Sequence, residues 1–138
     1  MSHEPVADQV WRLMSAVVID NKDAWRRAAV NRTGLPFSRI RILRRLSRHP
    51  MTVKQVAEAA TLDAPAATVA VNDLESRGLV SREIDPENRR RKLVSLTEAG
   101  RKVVAILEEI DDPAPQALVT LGDQDLAALH RILAKLGR

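Results

Sequence analysis

The sequence predicts a mainly helical chain with one two-stranded antiparallel hairpin, and three observations predict it. Apolar residues recur at helical spacing through most of the 138 residues. A capping box, Thr52 with Gln55 three residues on, opens a short helix that a very short turn separates from the next. The period changes to alternation in only two places, residues 79–84 and 92–96. The length suits one domain, and burial of roughly two-thirds of the unfolded surface gives such a domain a core without staples.

Taken in order, residues 6–29 read as one long helix, with Val6, Val10, Leu13, Met14, Val17 and Val18 on a stripe that Trp11 and Trp25 widen. Residues 31–34 break it. Leu35-Pro36 opens a second helix, because proline has no helical N–H to lose in a first turn. Ile40, Leu43 and Leu46 point inward there, and His49-Pro50 ends it. Behind the Thr52 cap, residues 53–60 place Val53, Val56, Ala57 and Ala60 on one face. Asp63 offers an N-cap oxygen, with Pro65 in the first turn, for a helix reaching about Arg77 whose Ala67, Val71 and Leu74 face inward. Gly78 suits a left-handed C-cap. Two helices that meet across Thr61-Leu62 alone form a helix-turn-helix pattern.

The two strands follow, with Val80 and Ile84, and Val94 and Leu96, on consistent faces. The tip between them, residues 85–91, is polar, arginine-rich and too long for a two-residue turn. Thr97-Glu98 caps a helix carrying Val103, Val104, Ile106, Leu107 and Ile110, and residues 111–115 interrupt it. A last helix from about Asp123 has acids in its first turn and an apolar face of Leu126, Leu129, Ile132, Leu133 and Leu136.

Composition narrows the function. Without cysteine there are no disulfides and no thiolate metal sites, and the three histidines, 3, 49 and 130, do not resemble a zinc set. Trp11, Trp25 and Phe37 are too few rings for a base-stacking RNA platform. No Gly-rich phosphate loop, Ser/His/Asp set or metal cluster occurs, so neither an enzyme nor a cofactor is expected. The N-terminus lacks a charged-then-apolar signal pattern and no long apolar run follows, so a cytoplasmic protein without membrane association is expected.

The net charge of +4 hides an asymmetry. No acid lies between Asp23 and Glu58, while Arg26, Arg27, Arg32, Arg39, Arg41, Arg44, Arg45, Arg48 and Lys54 do. Arg89-Arg90-Arg91-Lys92 forms a second cluster, and from Thr97 onward acids outnumber bases, seven to five. A basic middle of this kind faces a polyanion or is a solvated surface. The hairpin favours the first: a helix pair followed by a hairpin with a basic tip is a winged helix-turn-helix. Its second helix enters a major groove about 12 Å wide while the tip reaches the adjacent minor groove, where an arginine meets focused negative potential.

From Leu35 to Gly100, and more loosely over the whole chain, the sequence resembles the MarR family of bacterial transcriptional regulators. The resemblance lies in Leu74-Glu75-Ser76-Arg77-Gly78-Leu79-Val80-Ser81-Arg82 and in Asn88-Arg89-Arg90-Arg91-Lys92-Leu93-Val94-Ser95-Leu96-Thr97-Glu98-Ala99-Gly100. The family's wing pattern is met at Arg90, Val94, Leu96 and Thr97, and Leu121 to Leu126 is similar to the start of its final helix. The resemblance implies a homodimer on double-stranded DNA, with a dimerisation helix over 1–34, the winged domain over 35–100 and further dimerisation helices over 101–138. It implies a repressor on a pseudo-palindromic operator, released by a small ligand. The apolar stripes over residues 6–29, 103–110 and 126–136, more than one small winged domain can bury, agree with a second copy or with an intramolecular helical cap.

The chain departs from the family twice. Asn88 stands where the family has an aspartate that braces a basic residue, so a looser tip or one freer arginine is expected. Val69 stands where an arginine often follows the threonine, leaving no cation on the start of the reading helix. Base contacts are therefore expected from Thr68 and Asn72, with thymine methyls met by Ala64, Ala66 or Val69. Phosphate contacts are expected from Thr52, Lys54 and Arg77, and wing contacts from Asn88, Arg89, Arg90 and Arg91. Trp25, Arg26, Phe37 and Arg41 are candidates for a pocket taking a small anionic aromatic effector, although Trp and Phe at helical spacing also serve as core. A rival expectation is a winged-helix dimer that serves as an interaction module without sequence-specific DNA binding, which the non-cationic Ala64 to Val69 surface favours and the tetrabasic wing opposes.

Overall fold

The computed structural model describes residues 4–137; residues 1–3 and 138, at the ends of the segments expected to dimerise, lie outside the described residues. In chain order the elements are α1 (Val6–Asn21), α2 (Asp23–Thr33), α3 (Phe37–Leu46), α4 (Val53–Ala60), α5 (Ala64–Ser76), β1 (Val80–Asp85), β2 (Asn88–Leu96), α6 (Glu98–Glu109), α7 (Gln116–Val119) and α8 (Asp123–Leu136). They divide into two units, Lys22–Ile110, and Met1–Asn21 together with Asp111–Arg138. No helix among the described residues is long and apolar enough to cross a membrane.

The long first helix expected from the sequence is two helices. Its ladder lapses at Lys22, in a run of Asp20, Asn21 and Asp23 whose short polar side chains compete for backbone groups. Asn21 does so visibly, its Nδ2 donating to the carbonyl of Val17 at 2.7 Å. The second piece, α2, continues through Asn31 to Thr33, beyond the expected break, and ends at Gly34 in the left-handed region at φ 71°.

In the unit Lys22–Ile110 the core gathers Ile40, Ile42 and Leu43 of α3, Val56 of α4, Val71 and Leu74 of α5, and Val94 of β2. Ile42 was not among the expected inward positions. It is 1 % exposed because α3 is covered on more than one side, packing against α2, α4, α6 and β2. Pro36 sits at the N-cap of α3, one position before the first turn, and the helix stops at Leu46 before reaching His49.

The helix-turn-helix forms as expected. Thr52 Oγ1 accepts from the Gln55 N–H at 3.1 Å while Gln55 Oε1 accepts from the Thr52 N–H at 2.9 Å. Asp63 Oδ1 accepts from the Ala66 N–H at 2.8 Å. The turn between them is tight because Thr61 adopts φ 55°, so that Leu62 N–H reaches the Ala57 carbonyl at 2.8 Å. The same closure recurs at Gly78, where Leu79 N–H reaches the Leu74 carbonyl at 3.0 Å. A β-branched residue is strained in the left-handed region, by about 1–2 kcal/mol, whereas glycine is not. Thr61→Gly should therefore raise stability by about 1 kcal/mol in urea unfolding; a loss would show that the threonine side chain holds the turn.

The hairpin differs from expectation. Val80 pairs with Leu96 and the register runs evenly to Ile84 with Lys92, then jumps so that Asp85 faces Asn88. The tip is thus closed by Pro86 and Glu87 alone, and Arg89, Arg90 and Arg91 form a bulge on β2 rather than a long loop. Ile84 lies out along the hairpin and is 51 % exposed, so it does not share the buried face of Val80. Met51 bridges to Val94, N–H to carbonyl in both directions, tying the root of the hairpin to the segment before α4.

In the other unit, α1, α7 and α8 have no buried residue among those described. Val6, Trp11, Leu13 and Ile19 of α1, and Ile132, Leu133 and Leu136 of α8, are exposed. The short α7 after Pro115 was not expected from the sequence.

Candidate nucleic-acid interface

The outer side of α5 is set by what its inner side buries. Ala67, Ala70, Val71 and Leu74 are fully buried, which leaves Ala64, Thr68 and Asn72, spaced i, i+4, i+8, together with Val69, facing outward. Ala66 is only half exposed, and its N–H is held by the Asp63 cap. The Thr68 hydroxyl donates to the Ala64 carbonyl at 3.0 Å, so its lone pairs are what it offers outward.

Two acids follow on this helix, and both are neutralised from inside the fold. Asp73 Oδ2 accepts from Arg39 Nε at 2.9 Å and from Arg77 Nε at 3.1 Å. Glu75 Oε1 lies 3.7 Å from Arg82 Nε. Arg82 also donates from Nη2 to Asn72 Oδ1. The cation that the sequence of α5 lacks is therefore brought to it by β1, from a residue that helical spacing gave no reason to place there.

The wing is built around one buried carboxylate. Asp85 is 4 % exposed, the one buried charged residue among those described. It accepts from Arg91 Nε at 2.7 Å and from the Glu87 N–H at 2.9 Å. Asn88 keeps an acceptor for the backbone, its Oδ1 taking the Arg90 N–H at 3.2 Å. The brace expected to be lacking with asparagine at position 88 is supplied by Asp85, across the jump in register, and it engages Arg91. Arg89, Arg90 and Lys92 are exposed and have no acid partner among the described residues.

The remaining candidates divide. Lys54 is exposed without an acid partner among the described residues, whereas Arg77 is tied to Asp73. The N–H of Thr52 is taken by its own capping box, where its hydroxyl accepts and keeps its proton to donate. Trp25 and Phe37 meet edge to face, centroids 6.3 Å apart, with Arg26 over the Phe37 ring at 4.3 Å and Arg44 over the Trp25 ring at 4.6 Å. Trp25 is core at 7 % exposure. Of the four residues suggested for an effector pocket, Trp25, Arg26 and Phe37 come together, while Arg41 is exposed and Arg44 takes the cationic place on the tryptophan. A cavity of about 430 Å³ opens elsewhere, between Leu46, His49, Leu96, Arg101 and Val104.

Both carboxylates are shifted. The Arg39 hydrogen bond, opposed by desolvation and helped by Arg77, holds Asp73 below its ordinary 3.8. Arg91, then the Glu87 N–H, does the same for Asp85. A folded-state pKa below the unfolded one contributes stability that is present above the unfolded value and is lost as pH falls through the folded one. Asp85→Asn should therefore make the fall in stability below about pH 4 shallower. An unchanged acid limb in pH-dependent unfolding would show that Asp85 is not part of it.

A winged helix-turn-helix with this wing is what the comparisons match. A sequence model described as the MarR family covers residues 33–91. Over that segment the chain is similar to the MarR family. A MarR-family transcriptional regulator from Rhodococcus sp. RHA1 is 26 % identical, with a TM-score of 0.67 over 97 % of this chain and 96 % of that one. The Staphylococcus aureus MepR–DNA complex is similar at 24 % identity and a TM-score of 0.58, over 93 % of this chain and 98 % of that one. NadR in complex with 4-hydroxyphenylacetate is similar at 23 % and 0.66, over 99 % and 94 %. The MarR-type regulator fold thus extends beyond the matched segment to nearly the whole chain.

Proposed function

We propose that this protein is a MarR-family regulator, which binds double-stranded DNA as a homodimer in the cytoplasm and represses transcription from a pseudo-palindromic operator. In this reading α5 lies in the major groove with Thr68 and Asn72 toward base edges, and Ala64 and Val69 toward thymine methyls. Arg89 and Arg90 enter the neighbouring minor groove, and Lys54 and Arg77 flank phosphates. The observation that carries it is the sorting of charge: Asp73, Glu75 and Asp85 are paired within the fold, while Lys54, Arg89, Arg90 and Lys92 are left uncompensated among the described residues and outnumber the hairpin's two exposed, unpaired acids, Glu83 and Glu87. A surface that cancels most of its acids and exposes an excess of bases is suited to a polyanion. The DNA complex of MepR, a protein of the same fold, agrees with it.

The apolar faces of α1 and α8 support the dimer, since a stripe holding Trp11, Leu13, Ile19, Ile132 and Leu136 in solvent is a surface that a second copy covers. Two copies also bring two reading helices to half-sites about 34–36 Å apart. Release by a small ligand is part of the proposal, with the Trp25, Arg26 and Phe37 cluster as its candidate seat; NadR, a protein of similar fold, is in complex with 4-hydroxyphenylacetate, which supports this reading.

The test is titration of palindromic and random duplexes at two salt concentrations, with sedimentation to give the mass of the bound species. Site preference, a steep salt slope and a dimeric mass are expected. An interaction module would show neither preference nor slope, and a monomer indifferent to both duplexes would overturn the proposal.

A further inference from the structure

We infer that Arg82 decides which base Asn72 reads, by turning the oxygen of its side-chain amide toward β1 and leaving the amine as the edge that faces the groove. The inference rests on the DNA-binding proposal and goes beyond it to specificity.

Arg82 lies on β1, ten residues after Asn72, and donates from Nη2 to Asn72 Oδ1. A guanidinium has donors and no acceptor, so the amide atom facing it is the oxygen. Arg82 is well placed to hold that orientation. Its side chain is 25 % exposed, its Nε is buried without a hydrogen-bond partner, and Glu75 Oε1 lies 3.7 Å from the same Nε. The partly buried guanidinium thus has an acceptor on either side, although Asn72 and Glu75 are themselves exposed.

The consequence is chemical. A free asparagine recognises adenine by two bonds at once, the amine donating to N7 and the oxygen accepting from the N6 amine. The oxygen keeps a second lone pair, but turned toward Arg82 on β1 it no longer lies beside the amine as the edge that such a pair needs. What remains is a donor, which matches guanine at O6 and N7 or thymine at O4. Cytosine presents only its N4 amine there and is rejected, and adenine keeps a single acceptor beside a repelling amine. Asn72 thus reads a keto base, G or T. Thr68, one turn earlier, shows outward the lone pairs of a hydroxyl whose proton is already given to Ala64.

Selection from a random duplex pool, repeated with Asn72→Asp and Arg82→Ala, tests this. Asn72→Asp keeps an acceptor for Arg82 but offers the groove no donor. The position under residue 72 should change from G or T to A or C by roughly tenfold, with the rest of the site unchanged. Arg82→Ala frees the amide and should admit adenine at that position. If the arginine variant does not fold, the Asn72→Asp profile decides alone. Selection of adenine by the wild type, or the same base preference in Asn72→Asp, overturns the inference while leaving DNA binding intact. A wild-type pool with no enriched sequence overturns both.

Discussion

Gly100→Ala is expected to cost the winged unit about 3 kcal/mol or more, although it adds a single methyl to a helix. A Cβ at this position would stand 2.1 Å from the Leu79 carbonyl oxygen and 3.2 Å from both the Leu79 carbonyl carbon and Leu96 Cδ2. The first of these is backbone and cannot turn aside. That carbonyl accepts from the Thr97 N–H at 3.0 Å, and the Thr97 hydroxyl donates to the Gly78 carbonyl at 2.6 Å. Moving α6 away to admit the methyl would therefore pull apart the junction where α5, β1, β2 and α6 meet. Alanine is the better helix former by about 1 kcal/mol, so propensity alone predicts the opposite sign. Urea unfolding separates the two: a midpoint lowered by on the order of 1 M or more supports the close approach, and a rise would mean α6 can shift freely.

The second large effect is on DNA. Removing Arg89 and Arg90 together by alanine substitution takes four charges from a dimer, and each phosphate charge left unneutralised flattens the logarithmic salt slope by about 0.9. Affinity should fall on the order of a hundredfold at moderate salt, for all duplexes rather than for one sequence. Arg91→Ala should behave differently. Its guanidinium is spent on Asp85, so its loss leaves a buried carboxylate short of its partner and lowers the stability of the hairpin more than it flattens the slope. Salt titrations of the three single variants would show this. Equal slope changes at all three positions would mean that Arg91 leaves Asp85 for DNA.

The local parts of this fold were legible because the sequence carries their chemistry within a few residues. Thr52 with Gln55, Asp63, Gly78 and Thr97 are capping signals whose partners lie three residues away or in the next turn, and all of them act as expected. Burial of Ala67, Val71 and Leu74 follows from spacing alone. The break at Lys22 was harder, since the apolar stripe continues across it and only a few competing polar side chains mark it.

The candidate site was legible in part for the same reason. Thr68, Val69 and Asn72 face outward on the side opposite the buried alanines, and the wing arginines are exposed. What could not be read was the pairing of charges. Asp73 lies four residues before Arg77, a local pair, but its stronger partner Arg39 is on α3. Asp85 looked like one more polar residue of a long tip until the register brought Asn88 opposite it. Arg82 looked like an ordinary strand cation, and its approach to Asn72 exists only because β1 packs against α5.

The order of side chains along the chain, by itself, determined a helix-turn-helix, a hairpin with a basic tip and flanking helices with apolar stripes, because helical and strand periods and caps are short-range properties. The tertiary structure alone decided which of the many charges cancel. Pairing depends on distance through space, and the fold brings Arg39, Arg82 and Arg91 to acids and an amide that lie elsewhere in the sequence. The bases left over are what a nucleic acid can meet.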